Sequence, residues 1–151
     1  NIVLLEPEIP HNTGAIGRTC YNTQSSLHLI HPLGFFINDK TLLRSGMDYW
    51  KYLDVFHYNN FDDFINKNSK ATIYLVETGA NKLYNEICYA PNDFIIFGKE
   101  SGGIPKEILE RYANHIIGIP MRQNARSLNL SVAVGIVLYE ALRQNGFMGL
   151  Y

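Results

Sequence analysis

The stretch Asp93-Phe94-Ile95-Ile96-Phe97-Gly98-Lys99-Glu100-Ser101-Gly102-Gly103-Ile104-Pro105 decides the fold class. Its first part is apolar on consecutive positions, as a parallel strand buried on both faces tends to be. A glycine-rich turn follows. Pro105 then opens a helix to about Tyr112, because the N–H that proline lacks has no partner in a first helical turn anyway. The same strand–turn–helix unit recurs along the chain. Runs of Val, Ile, Leu, Phe and Tyr mark further strands at Ile2–Leu5, Leu27–His31, Asp54–Tyr58, Ala71–Val76 and His115–Ile119. Helices are predicted from Thr13, after a capping Asn12, to about Tyr21, over Asn60–Asn68, and from Leu130 to Gln144, stopping near Gly146. The expectation is an α/β fold over residues 1–151 as one domain, a mostly parallel six-stranded sheet with helices on both faces.

Composition narrows the function. Thirteen Lys+Arg against fourteen Asp+Glu give a formal charge of −1, which argues against a non-specific DNA coater and a polybasic membrane binder. Hydrophobic residues are 46% and charged residues 18%, so the chain has a core and is not a disordered tail. The apolar runs are too short to span a bilayer and there is no basic-then-apolar leader, so a cytoplasmic protein without a membrane partner is expected. Residue 1 is Asn and Ile2 already starts a strand; a few residues are expected to be missing in front, but no domain. Cys20 and Cys88 fit no CxxC pattern and read as small buried thiols in a reducing compartment. His28 and His31 point to opposite faces of one strand and cannot grip one metal, so no metal site is expected.

The last helix is apolar almost continuously from Leu128 to Leu142. One side faces the sheet and the rest needs another cover, which predicts a homodimer.

Ligands of open α/β sheets bind beyond the carboxyl ends of the strands, so the loops there carry the chemistry. The first is Glu6-Pro7-Glu8-Ile9-Pro10-His11-Asn12-Thr13-Gly14-Ala15-Ile16-Gly17-Arg18, with Arg18 about a turn inside the helix near its ligand-facing end. Read structurally, it is a capped helix with a surface arginine. The second, Gly98–Pro105, fits neither phosphate fingerprint: Ile104-Pro105 follows Gly103 where a P-loop needs Lys-Ser/Thr, and G-x-G-x-x-G lacks its second glycine. Glu100 there suits a ligand with positive charge, an ammonium or a sulfonium; otherwise the loop is a sharp turn. The third runs from Gly118 through Ile119-Pro120-Met121-Arg122 and Arg126-Ser127-Leu128-Asn129-Leu130-Ser131. Apolar walls with a few directed polar groups suit an adenosine-sized ligand, and Arg122 and Arg126 at the rim suit nucleic-acid phosphates. Ser127 or Asn129 is expected to cap the last helix as well as bind.

Asn12-x-Gly14-x-x-x-Arg18, Gly98-x-Glu100-x-x-Gly103-x-Pro105 and Ile119-Pro120-Met121 with Ser127-Leu128-Asn129-Leu130-Ser131 together resemble the three motifs of the SPOUT RNA 2′-O-methyltransferases. Glu6 to Gly14 and Val137-Leu138-Tyr139-Glu140-Ala141 look like the TrmL/YibK group, minimal enzymes that methylate the ribose of the tRNA wobble nucleotide. The resemblance runs from Asn1 to about Gly149; His11 stands where relatives often have proline, and Lys99 is variable among them. It implies a C-terminal trefoil knot, S-adenosylmethionine bound inside it, tRNA as substrate, and a homodimer through the C-terminal helix and helix one. Carried over by position, Val76, Gly98, Gly103, Ile119, Met121, Ser127 and Leu128 line the methyl-donor pocket, with Glu77 and Thr78 at its edge. Arg18 meets the ribose and its phosphate, and Asn12, Glu100, Ser127 and Asn129 orient it or the hydroxyl. Some family schemes make this arginine the base, but a guanidinium stays protonated in proteins. A positioner and electrostatic clamp fits better. Lys40, Arg44, Lys51, Arg122 and Arg126 are the candidates, with Arg18, for an RNA-binding patch. Three other readings stay open. They are an rRNA or other tRNA-position methyltransferase, a non-catalytic RNA-binding dimer, and a doubly wound nucleotide-binding enzyme.

Overall fold

A computed structural model describes residues 1–37 and 48–151. In chain order its elements are β1 (Ile2–Leu5), α1 (Pro10–Asn22), β2 (Leu27–Ile30), β3 (Val55–Tyr58), α2 (Phe61–Lys67), β4 (Ile73–Val76), β5 (Phe94–Phe97), α3 (Lys106–Arg111), β6 (Ile116–Ile117) and α4 (Leu130–Gln144). The sheet runs β3-β2-β1-β5-β4-β6 and every pairing is parallel. All six predicted strands are present, most of them a residue or two shorter than the apolar runs.

Residues alternate between the two faces of a strand, and here both faces are covered. Ile2 and Leu4 of β1 pack with Ile16 and Cys20 of α1 and with Val134, Val137 and Leu138 of α4. Val3 and Leu5 face the opposite core, with Phe61 and Phe64 of α2 and Ile108 of α3. Double coverage is why β1 and β5 are buried at all four positions and read as unbroken apolar runs.

Local signals placed two helix starts correctly. The Asn60 side chain accepts from Asp63 N at 2.8 Å to cap α2, and Asn129 accepts from Ser131 N at 2.9 Å to cap α4. Helix α1 corrects the reading of Asn12. It starts at Pro10, a turn earlier, and Ile9 takes the capping position without a side-chain bond. Proline's fixed φ suits the first helical residue, which leaves Asn12 inside the helix, buried and available for tertiary bonding.

The cysteines differ from one another. Cys20 is buried, and burial pushes its thiol up to about 12. Cys88 is exposed, which corrects its assignment as a buried thiol. A chromogenic disulfide is therefore expected to titrate one thiol per folded chain and both after unfolding.

His28 shows what the described N-terminal end holds inside. Its ring stacks on Phe56 at 4.8 Å, and its nitrogens lie 2.8 Å from Tyr58 Oη and 3.2 Å from Asn1 Oδ1. Burial pulls its pKa from the ordinary 6.5 down to about 4. The folded state thus holds a neutral ring that the unfolded chain protonates first as pH falls. Stability from this group is complete above pH 6.5 and declines as pH drops toward 4, a loss of roughly 3 kcal/mol. Urea unfolding at pH 7 and pH 4.5 is expected to show this slope, and His28→Gln to flatten it. An equal slope in both proteins would assign the effect to other groups.

Candidate active site

A cleft of about 460 Å³ opens beyond the carboxyl ends of β4 and β5. Its walls come from three connections: Val76–Thr78 after β4, Phe97–Gly103 after β5, and Ile119, Met121 and Ser127–Leu130 between β6 and α4, with Ile9, Asn12 and Ala133 completing them. Val76, Glu77, Thr78, Gly98, Gly103, Ile119, Met121, Ser127 and Leu128, the expected donor-pocket residues, all line it. Asn12, Glu100 and Asn129 line it too.

One chain of hydrogen bonds joins the three motif loops. The Glu100 carboxylate accepts from Glu8 N at 2.8 Å, Ile9 N at 3.2 Å and Asn12 Nδ2 at 3.0 Å. Asn12 Oδ1 in turn accepts from Asn129 Nδ2 at 3.0 Å, and Asn129 Oδ1 accepts from Ser131 N and, at 2.6 Å, from Ser131 Oγ. Glu100 therefore fastens the open start of α1 to the β5 loop while remaining on the cleft lining. Its role is to hold Asn12, and through it Asn129, in one orientation at the cleft wall.

Two further clasps escaped the sequence. Glu8 accepts from Ser101 N and Oγ, each at 2.8 Å, and the Ser101 hydroxyl foremost holds the Glu8 carboxyl below its usual range. Glu77 accepts from Thr78 N at 2.8 Å and Ile104 N at 3.0 Å, tying the β4 loop to the β5 loop. Surface carboxylates carry no local signal of such partners. Lys99 is the cationic side chain on the lining, and its Nζ lies 3.2 Å from Glu6 Oε2.

Arg18 is placed differently from the expectation. Because α1 begins at Pro10, Arg18 lies in its third turn, exposed, and is not part of the lining of this chain's own cleft. Its guanidinium carbon sits 5.5 Å from the centre of the Tyr49 ring, whose hydroxyl donates to Gly14 O. Lys51, Arg122 and Arg126 are exposed; Lys40 and Arg44 lie outside the described residues. Among the described residues no group of three or more His, Cys, Asp or Glu is placed to hold a metal ion, and no helix is long and apolar enough to cross a membrane.

Residues 1–139 match the SpoU rRNA Methylase family. The chain belongs to that family. This SpoU-family chain is 45% identical over 150 residues to the tRNA (cytidine(34)-2′-O)-methyltransferase of Saccharophagus degradans, covering 99% of this chain and 97% of that protein. It is 43% identical over 155 residues to the protein of the same description from Yersinia pestis, covering 99% and 96%. A solved structure described by the 2-OH methylation of C/U34 on tRNA superposes with a TM-score of 0.89 at 38% identity, over 96% of this chain and 95% of that one. An AdoMet-bound rRNA methyltransferase from Sinorhizobium meliloti superposes at 0.80 with 27% identity, over 94% of the SpoU-family chain but 55% of the longer protein.

Proposed function

We infer that this chain transfers a methyl group from S-adenosylmethionine to the ribose 2′-hydroxyl of nucleotide 34, a C or modified U, in the tRNA anticodon loop. The observation that carries this is the convergence of all three motif loops on one cleft, locked by the Glu100–Asn12–Asn129 chain. The relatives of this length described as tRNA (cytidine(34)-2′-O)-methyltransferases support the substrate.

The cleft residues fit the donor. Val76, Phe97, Ile119, Met121 and Leu128 offer apolar walls, and Thr78, Ser127 and Asn129 a few polar groups, which is the usual make-up of a site for an adenosine-sized ligand. The donor supplies an electrophilic methyl on a sulfonium. The chain's own residues supply alignment. Asn12 and Asn129 fix the hydroxyl side of the cleft, and Ser127 bridges the donor and hydroxyl sides. Arg18 clamps the ribose and adjacent phosphate as a fixed cation, and the hydroxyl proton leaves late, to phosphate or water.

On this reading the working unit is a cytoplasmic homodimer of a single methyltransferase domain, joined through α4 with α1 taking part. Val132 and Tyr139 of α4 are 50% and 48% exposed, and a Cβ built on Gly135 between them would point into open space. Tyr139→Asp is expected to turn a sedimenting dimer into a monomer; an unchanged dimer would move the interface elsewhere. Labelled-methyl transfer to tRNA, with mapping of 2′-O-methyl sites, tests the reaction. Methylation of rRNA, or of another tRNA position, would replace it.

A further inference from the structure

The segment Asp48–Tyr52, a short 3-10 helix, lies along the stripe of α1 formed by Gly14, Gly17 and Tyr21. Trp50 fills the room at Gly17, where a Cβ would stand 2.8 Å from its ring. Tyr49 is buried beneath, its hydroxyl spent on Gly14 O. Outside this packing remains a row of rings and cations. The Tyr21 ring is 5.8 Å from Tyr49 and 6.5 Å from Tyr52. Tyr52 is 67% exposed and Tyr21 42%, so core packing accounts for neither ring in full. Lys51 Nζ sits 4.8 Å over the Tyr52 ring, and the Arg18 guanidinium over Tyr49 borders the same row. Asp48, at the other end of the segment from Tyr52, is the carboxylate it carries.

We propose that Tyr21 and Tyr52, flanked by Arg18 and Lys51, form a stacking platform for unpaired bases of the RNA substrate. The proposal rests on the tRNA reading above and adds to it how the RNA is held. A chain of net charge −1 draws RNA through a local patch, and aromatic faces interleaved with cations make the kind of patch that prefers single strands to duplexes. Duplex RNA presents phosphates but keeps its base faces stacked; an anticodon loop offers both. From Asn12 at the cleft to Tyr21 is nine residues of α1, about 14 Å at ~1.5 Å per residue. Bases a few nucleotides from the reacting ribose reach that far.

Trp50, the chain's single tryptophan, lies beside the platform and reports on it. The test is a fluorescence titration of the full chain with an unmodified anticodon stem-loop RNA and, separately, with a blunt RNA duplex. Tyr52→Ala is expected to weaken stem-loop binding about ten-fold and the Tyr21→Ala/Tyr52→Ala pair further, with duplex binding unchanged and Tyr52→Phe close to wild type. Lys51→Ala should reduce the log–log salt slope by about one. Donor affinity and the sedimenting species should stay as in wild type. Unchanged stem-loop affinity in the double variant overturns the platform. So does a loss that coincides with dissociation of a dimer, which would make the surface a contact between copies. If wild type methylates no tRNA yet binds the stem-loop with this tyrosine dependence, the proposed reaction fails and the platform stands.

Discussion

Gly98→Ala is expected to lower methyl-donor affinity about a hundred-fold or more, the scale of a core clash of ~3 kcal/mol placed directly in the binding loop. A Cβ on Gly98 would lie 2.1 Å from Gly103 C, 2.4 Å from Ile104 N and 2.5 Å from Gly103 O. All three are backbone atoms, and neither residue is free to retreat. Gly103 N donates to Lys99 O at 2.9 Å, and Ile104 N donates to the Glu77 carboxylate at 3.0 Å. Opening the loop breaks these bonds and moves the β5 wall of the cleft. Gly102→Ala is the control: its Cβ would meet the Lys99 side chain at 3.3 Å, a flexible neighbour that turns away, so affinity should stay within about three-fold. Calorimetric titration with S-adenosylmethionine reads both variants, and urea unfolding confirms that each is folded. Wild-type affinity in folded Gly98→Ala would move the donor out of this cleft.

Arg18→Ala is expected to slow methyl transfer on the order of a hundred- to a thousand-fold and to leave donor affinity nearly intact. The split follows from position. Arg18 stands on the outer surface of α1, whereas the donor residues line the cleft beyond β4 and β5. Its loss removes a preorganised cation from the ribose and phosphate without touching the donor walls. Arg18→Lys should rescue little, because lysine keeps the charge but not the planar fork. Ser127→Ala, in contrast, should weaken donor binding as well as transfer, since Ser127 lies on the cleft lining. Labelled-methyl transfer and calorimetry on the three variants decide. Near-normal transfer by Arg18→Ala removes it from the reaction, and lost donor binding moves it into the cofactor pocket.

How much was legible in advance follows the range of each interaction. Periodicity and turn residues are local, so the six strands, a helix over Asn60–Asn68, a cap at Ser127 or Asn129 and the loops that meet at the cleft could be read directly. Loops at the carboxyl ends of parallel neighbours must converge, which is why Val76, Gly98, Ile119 and Leu128 fall on one lining although they are far apart in sequence. What each polar side chain does there was not legible. Asn12 had the composition of a cap, yet its partners are Glu100 and Asn129, 88 and 117 residues away. Glu100 was expected at the ligand loop and does line the cleft, but its bonds to the start of α1 carried no sequence signal. Tyr21 and Tyr52 carried no pattern at all until the 3-10 segment was laid against Gly17. The burial of Cys20 and the exposure of Cys88 likewise came from packing. Local sequence determined which elements form and where their loops emerge. The tertiary structure decided which donors and acceptors pair, because a hydrogen bond depends on distances of about 3 Å between groups that only the completed sheet brings together.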